Sequence, residues 1–233
     1  MISFKHLVMA TAVAASISSP SASALEAGDV IIRTGTTTVD PRESGSSATL
    51  NGSVLSLAGG TTELGVNSDT QLGLTATYML SSHWGVELLA ATPFEHVASG
   101  LGELEGLDIA ETKQLPPTLS AIYYFNPQSQ FKTYVGAGLN YTVFFSEDIT
   151  SEADAALSGL GLTGADVNID DSWGVSFQAG LDVQIDKQWS FNTSVRWIDI
   201  DTEANIKFDD GSRIVAGIDI DPLVYTVSVG YQF

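Results

Sequence analysis

Composition and charge set the first limits on this 233-residue chain. It has no cysteine, so disulfide bonds cannot stabilise it, and 28 Asp and Glu residues against 9 Lys and Arg give a formal net charge of −19. A chain this acidic repels polyphosphate, so we expect no nucleic-acid partner. The length fits a single domain.

The first 24 residues have the pattern of a secretory signal peptide. Lys5 supplies a positive charge, residues 7–17 form a short apolar run, and Ala22-Ser23-Ala24 matches a cleavage site with small residues. We therefore predict removal of residues 1–24, which leaves residues 25–233 as an exported β-barrel domain. After this leader no stretch holds the roughly 18 consecutive apolar residues that a spanning helix requires.

In eight later segments, apolar residues alternate with small or polar ones. Residues two apart lie on the same face of a strand, so this period predicts β-strands with one apolar face. A strand tilted across a bilayer needs about 9–11 residues, a length that the last segment matches and the others reach or exceed. They are residues 30–39, 69–80, 84–94, 113–125, 131–145, 172–185, 189–200 and 223–233.

The connections between these segments alternate in length. Residues 81–83, 126–130 and 186–188 are short, whereas residues 41–67, 95–112, 146–171 and 201–219 are long and, with the residues at their ends, carry 22 of the 28 carboxylates. This arrangement is typical of outer-membrane barrels. We therefore predict an all-β fold, an eight-stranded antiparallel transmembrane β-barrel with short periplasmic turns and long extracellular loops. Aromatic residues near the short turns predict an interfacial girdle: Tyr78, Trp84, Tyr123, Phe125, Phe131, Trp189 and Phe233.

Several strand segments are also similar to a known family. They read TQLGLTATYML, WGVELLAATPFEH, LPPTLSAIYYF, YVGAGLNYTVFF, DSWGVSFQAG, IDID and DPLVYTVSVGYQF. With these segments the chain resembles the outer membrane protein W (OmpW) family. The resemblance implies an eight-stranded barrel with an unusually apolar lumen that passes small hydrophobic molecules, and it implies that some members serve as colicin receptors.

The inward faces of the predicted strands supply the candidate lumen residues. An eight-stranded barrel has room for side chains or one small ligand, so its size excludes a general porin. The candidate lining comprises Glu87, Leu89, Ala91, Arg196, Ile198 and Ile200. Its apolar members predict an apolar conduit near the outer half of the barrel that narrows at Leu89; the alternative is a packed plug. The resemblance favours the conduit.

Charged residues at inward positions require partners, because an unpaired buried charge is costly. Arg33, Glu87, Lys132, Asp182 and Arg196 are therefore predicted to form structural pairs or hydrated networks. The resemblance implies an aromatic residue at position 196. Arg196 departs from that pattern and weakens the case for an apolar seal at this depth.

Four carboxylates lie just beyond the predicted outer ends of strands seven and eight: Asp199, Asp201, Asp219 and Asp221. They share one face if the two strands pair around Asp210, which requires a three-residue or bulged turn at Asp209-Asp210-Gly211. Such a rim can hold Ca²⁺ or Mg²⁺ that bridges to lipopolysaccharide phosphates. A solvated acidic rim explains the same residues and is favoured, so no metal site is firmly predicted.

Catalysis has little support in the sequence. Beyond the leader only His83 and His96 can act as imidazole bases, and His96 with Glu95 and Ser99 is the one candidate cluster. We predict no enzyme activity and no cofactor.

The loop of residues 146–170 contains an apolar set of residues. Its members, Ala153, Ala156, Leu157, Leu160 and Leu162, are compatible with a short amphipathic lid or with a mobile loop.

We therefore predict a barrel in the outer membrane of a Gram-negative cell that passes or binds small hydrophobic molecules. The alternative is a surface receptor or structural barrel that acts through its acidic extracellular loops. The expected partners are outer-membrane lipid, lipopolysaccharide and small hydrophobic solutes, with colicin or phage as partners of the loops.

Overall fold

In the computed structural model, residues 24–42, 44–45, 48–54, 56–57, 60–61, 63–101 and 106–233 are described. They form nineteen strands and one helix. In chain order these are β1 (Val30–Asp40), β2 (Ser44–Gly45), β3 (Thr49–Leu50), β4 (Ser53–Val54), β5 (Ser56–Leu57), β6 (Gly60–Thr61), β7 (Glu63–Val66), β8 (Asp69–Met79), β9 (Trp84–Ala91), β10 (Phe94–Leu101), β11 (Asp108–Leu115), β12 (Thr118–Tyr124), β13 (Phe131–Ile149), α1 (Ser151–Gly159), β14 (Asp166–Ile169), β15 (Ser172–Gln184), β16 (Trp189–Ile198), β17 (Asp201–Lys207), β18 (Arg213–Asp219) and β19 (Leu223–Gln232).

Eight of these strands close into an antiparallel barrel. The order β12-β9-β8-β1-β19-β16-β15-β13 returns on itself through the pairing of β12 with β13. The first and last strands are neighbours, with Arg33 opposite Gly230. Closure leaves no unpaired sheet edge, which is what a strand structure in lipid requires. The predicted fold class is confirmed.

The outer surface of the barrel is apolar, as the alternating pattern predicts. Leu74, Leu88, Leu139, Phe177 and Val227 are each between 48% and 62% exposed. The predicted aromatic girdle includes exposed rings on the side of the short turns: Tyr78, Trp84, Phe125, Phe131, Trp189 and Phe233. Several of these rings pack edge to face, for example Trp84 on Tyr123 at 5.0 Å between centroids.

Three predicted strands are interrupted, and proline explains the breaks. Pro93 separates β9 from β10, and Pro116-Pro117 separates β11 from β12. Since proline has no N–H to donate, it breaks the ladder of hydrogen bonds. Strand seven ends at Ile198 instead of position 200, opposite Pro222, whose carbonyl accepts from the Ile198 amide at 3.3 Å.

The described parts of the long connections form further strands. Strands β10 and β11 form one hairpin above the barrel, and β17 and β18 form another. The second hairpin pairs Asp201 with Asp219 and Lys207 with Arg213, so it is centred at residue 210. Gly211 has a φ of 84°, and the Phe208 amide donates to the Ser212 carbonyl at 3.0 Å. The predicted three-residue turn is confirmed.

Helix α1 forms in the predicted lid segment. The Thr150 side chain accepts a hydrogen bond from the Ala153 amide and caps the helix, and Glu152 and Asp154 lie in the first turn, where acidic residues are favoured. Within the part of the chain that the structure describes, no helix is long and apolar enough to cross a membrane. The predicted signal peptide of residues 1–24 lies outside the described residues except for Ala24, so its cleavage stays a prediction.

Candidate functional site: barrel interior and extracellular cavities

The periplasmic end of the barrel interior is packed with apolar and aromatic side chains. This cluster consists of Leu25, Ile31, Met79, Ile122, Tyr124 and Tyr134. The Leu25 amide donates to the carbonyl of Pro127 at 3.1 Å, which holds the start of the described chain at the short-turn end. The interior is therefore filled here.

A layer of buried charges lies above this cluster, centred on Arg33. The Arg33 Nη2 donates to Asp182 Oδ2 at 2.7 Å, and its Nη1 lies 3.3 Å from Glu87 Oε2. The guanidinium also donates to the hydroxyls of Thr77 and Tyr124 at 3.0 and 2.5 Å. Its forked geometry suits this set of acceptors, because it can serve two carboxylates at once.

Arg196 extends the charge layer across the lumen. Its Nη2 donates to Glu87 Oε1 at 2.8 Å and to Gln178 Oε1 at 2.6 Å. Lys132, which was predicted to share such a network, donates instead to the amide oxygen of Gln184 at 2.7 Å. We call the group of Arg33, Glu87, Asp182 and Arg196 the charge layer.

An apolar plug lies on the extracellular side of the charge layer. It consists of Val39, Phe94, Phe144, Ile198, Ile200, Ile220 and Val224, with Ala91 packed against it. Leu89, at 4% exposed, lies where plug and charge layer meet, and it lines a residual cavity of only about 10 Å³ with Arg33, Glu87 and Arg196. That space is about what one water molecule needs.

The sequence and the family resemblance favoured an apolar conduit near the outer half of the barrel, and in the structure the plug fills this part. Apolar side chains fill the outer part and the periplasmic end of the interior, and buried charges close it in the middle. The reason is that alternation places Arg33, Glu87 and Arg196 on the same inward face as Leu89 and Ile198. Alternation defines the face, but it does not show that these charges meet at one depth.

A larger cavity lies above the plug, between the extracellular hairpins and helix α1. It has a volume of about 180 Å³ and is lined by Ala, Val, Leu and Ile side chains throughout. Ala98 and Ala110 come from β10 and β11, Leu157 comes from α1, and Ile206 and Ile214 come from β17 and β18. We call this the outer cavity. Sequence reasoning missed it as a site, although the lid segment supplies part of its wall.

A smaller space, the inner cavity, lies between the outer cavity and the plug. It has a volume of about 50 Å³ and shares Ala98, Ile169 and Ile218 with the wall of the outer cavity. It also touches Phe144 and Ile220 of the plug. The two cavities thus share part of their walls, and together they lead from the extracellular side to the plug.

Comparison with known proteins identifies the family. A model of the OmpW family matches residues 26–233. The chain is 43% identical over 230 residues to outer membrane protein W of Escherichia coli, covering 98% of this chain and 100% of that protein. The chain belongs to the OmpW family. It is an outer-membrane barrel protein, as predicted.

A solved structure and a more distant relative extend the comparison. The crystal structure of the outer membrane protein OprG from Pseudomonas aeruginosa matches with a TM-score of 0.81 and 42% identity, covering 90% of this chain and 98% of OprG. The Pseudomonas aeruginosa protein called dibenzothiophene metabolism operon protein PahQ is 23% identical over 67% of this chain and 68% of its own length.

Three of the four carboxylates predicted to form an acidic rim on this OmpW-family barrel lie close together. Carboxylate oxygens of Asp199, Asp201 and Asp221 lie within 4.8 Å of one another, and Asp219 is not in that group. Partial burial, followed by repulsion from the neighbouring carboxylates, raises the pKa of Asp201. Three carboxylates alone fall short of the six or more oxygens that Ca²⁺ prefers, so the cation-bridging role stays a prediction.

The structure separates the residues of the candidate catalytic cluster. His96 is buried, whereas the Glu95 carboxylate is exposed and forms an ion pair with Lys113 at 2.7 Å. The Ser99 hydroxyl donates to Asp108 Oδ1 at 2.7 Å. Glu95 and His96 are adjacent strand residues, whose side chains point to opposite faces. Both residues still border one cavity of about 240 Å³.

Proposed function

We propose that this OmpW-family barrel binds small hydrophobic molecules in the outer cavity and mediates their passage across the outer membrane. The observation that carries the proposal is the outer cavity itself, about 180 Å³ with a wholly apolar wall that faces the cell exterior. An apolar cavity of about 150 Å³ is sufficient to bind benzene. A molecule of one or two rings therefore fits, and burying it there removes apolar surface from water.

The charge layer restricts the route that such a molecule can take. A solute that moves inward from the two cavities meets the plug and then Arg33, Glu87 and Arg196, which line a space of only about 10 Å³. Moving an apolar solute past these groups would require their hydrogen bonds to break. We therefore infer that passage uses a lateral exit above the charge layer and not a rearrangement that parts Arg33 from Asp182.

Two further points support an uptake role. The name of PahQ links that relative to the metabolism of dibenzothiophene, an apolar ring compound. We propose that this chain likewise acts on apolar ring compounds. The separation of Glu95, His96 and Ser99 supports a function without catalysis. We further propose lipopolysaccharide and outer-membrane lipid as the surroundings of the exposed apolar band.

Uptake into liposomes tests the proposal. Barrel refolded into liposomes should admit an apolar dye faster than empty liposomes do, and it should exclude a polar sugar of similar size. Ala156→Trp fills the outer cavity and should reduce dye uptake several-fold. Ala155→Trp is the matched control, because Ala155 is exposed on the same helix and is not part of the cavity wall.

Equal effects of the two substitutions would contradict a role for the outer cavity. No dye uptake above empty liposomes, in protein verified as folded, would remove the transport function itself. Sugar uptake as fast as dye uptake would show an aqueous pore, which the filled interior argues against.

A receptor or anchoring role is the second candidate, and the closed charge layer specifically favours it. A closed barrel can serve as a rigid base for extracellular loops that bind colicin or phage. Deleting β17, β18 and their turn should then abolish binding of such a particle while the barrel stays folded. If the same deletion changed only dye uptake, the receptor role would lose its support.

A further inference from the structure

The inner cavity contains a polar belt between two apolar zones. Strands β10 and β11 pair so that three pairs of inward residues are stacked: Phe94 with Gln114, His96 with Thr112, and Ala98 with Ala110. Phe94 belongs to the plug, and Ala98 and Ala110 line the outer cavity. His96, Thr112 and Gln114 therefore form a polar belt at the inner end of a space whose other lining residues, apart from Thr202, are apolar.

The hydrogen bonds of His96 fix how the polar belt presents its atoms. The His96 Nδ1 lies 2.8 Å from the carbonyl oxygen of Asn67, which can only accept, so Nδ1 carries the proton. In the neutral ring Nε2 is then an acceptor, and it lies 2.9 Å from the Gln114 Nε2, which donates to it. The amide of Gln114 is thereby oriented, and its Oε1 points away from His96.

Two polar atoms of the belt lack partners among the described residues. Gln114 is 1% exposed, and its Oε1 accepts no hydrogen bond from the described part of the chain. The buried Oγ1 of half-buried Thr112 likewise has none. Both residues line the inner cavity. Leaving a buried acceptor unsatisfied is costly, so the site favours a ligand that supplies a donor.

We propose that the two cavities together select neutral apolar molecules that carry one hydroxyl, that is, alcohols and phenols. The apolar body occupies the outer cavity, and the hydroxyl enters the inner cavity, where it donates to Gln114 Oε1 and accepts from the Thr112 hydroxyl. An ionised carboxylate is disfavoured, because it would lose its hydration between apolar walls and face an acceptor oxygen. This specificity rests on the proposed function, since it concerns the same cavities.

Binding of two probes of the same shape tests the specificity. Naphthol and methylnaphthalene differ in one hydroxyl against one methyl group, and equilibrium dialysis against protein in lipid nanodiscs, with empty nanodiscs as the baseline, measures each. Wild-type protein should bind naphthol more tightly. Gln114→Met and Thr112→Val keep the side-chain size and should each weaken naphthol binding about 5–10-fold, the size of one hydrogen bond, while methylnaphthalene binding is unchanged.

The outcomes separate the specificity from the proposed function. If both probes bind and neither substitution changes their ratio, hydroxyl selection is overturned and binding of apolar molecules stands. If neither probe binds to folded wild-type protein above the empty-nanodisc baseline, both proposals are overturned. Ala156→Trp should reduce the binding of both probes alike, and a selective loss of naphthol in that variant would contradict the assigned orientation.

Discussion

The barrel interior and the extracellular cavities are both built largely from strands, but the interior is filled and the outer cavity is open. In the interior, ion pairs link four charged residues, and the cavity beside Arg33, Glu87 and Arg196 measures only about 10 Å³. In the outer cavity the walls are apolar, and about 180 Å³ stays open. Closed networks of hydrogen bonds stabilise one arrangement of side chains, whereas an apolar cavity accepts many ligands of suitable size.

This difference shows where binding and rigidity are located. A filled barrel gives a fixed base, and the hairpins β10–β11 and β17–β18 contribute the cavity wall on its extracellular side. Substitutions should therefore have different consequences in the two regions. In the interior they should change the free energy of unfolding, and around the cavities they should change binding.

The largest expected effect is the loss of Arg33. Arg33→Met leaves Asp182 and Glu87 buried without their main partner, so we expect the free energy of unfolding to fall by about 3–5 kcal/mol. Urea unfolding in lipid vesicles measures this. Arg213→Met is the control in the extracellular region, where the pair with Glu203 is 3.7 Å apart and about half exposed and should contribute less than about 1 kcal/mol. Equal losses in the two variants would show that the charge layer is not a stabilising centre.

Leu89→Ala tests whether solutes use the lumen at all. Truncating a leucine that is 4% exposed should lower the free energy of unfolding by about 2–5 kcal/mol. Uptake of an apolar dye, measured at a temperature where the variant is folded, should equal that of wild type, because Leu89 does not line the outer or the inner cavity. A several-fold change in uptake would show that solutes pass along the barrel axis and would restore the conduit that the sequence favoured.

Much of the fold could be predicted from the sequence, because in lipid each strand must alternate between an apolar and an inward face. Residues 223–233 illustrate this, since Tyr225, Val227 and Val229 are exposed and Val224 and Ser228 are buried. Proline effects were missed. Pro93 and Pro116-Pro117 lie within long alternating segments. Because proline has no N–H to donate, β9 ends before Pro93 and β12 begins after Pro117, although the alternating pattern continues through both places.

The candidate site could be predicted only in part. Leu89, Ile198 and Ile200 are buried inward as expected, but their depth relative to Arg33 and Arg196 depends on the stagger between strands, which alternation does not reveal. The outer cavity combines residues from β10, β11, α1, β17 and β18, which are far apart in sequence. Predicting such a cavity requires the arrangement of the hairpins relative to one another, and no local sequence pattern reveals that arrangement.

Substitution of two glycines by alanine tests how well the barrel and the extracellular region each accommodate an added methyl group. A Cβ at Gly138 in β13 would lie 2.4 Å from the carbonyl oxygen of Leu119 and 2.8 Å from the Cα of Ser120, so Gly138→Ala should destabilise the barrel by about 1–3 kcal/mol. At Gly159, in the last turn of α1, a Cβ meets nothing within 4 Å. Gly159→Ala should be neutral or stabilise by up to about 1 kcal/mol. Urea unfolding measures both, and a tolerated Gly138→Ala would show that β12 and β13 can separate locally.

The smallest expected effect concerns the acidic rim. The pKa of Asp201 is raised by burial and by its neighbours, so the folded state binds a proton more readily than the unfolded chain. Stability from this group is therefore lost as pH rises through the raised pKa. Asp201→Asn should raise the unfolding temperature slightly at pH 7, and the difference should vanish below the ordinary value of 3.8.

Asp210→Asn is the control with the opposite sign. Hydrogen bonds from Ser212 lower the pKa of Asp210, so its contribution is present at neutral pH and is lost as pH falls through that lowered pKa. Asp210→Asn should therefore lower the unfolding temperature at pH 7. Added Ca²⁺ separates the two interpretations of the rim. If Asp199, Asp201 and Asp221 bind the cation, millimolar Ca²⁺ should stabilise the wild type and Asp210→Asn alike and should not stabilise Asp201→Asn, whereas a solvated rim predicts the same small response in all three.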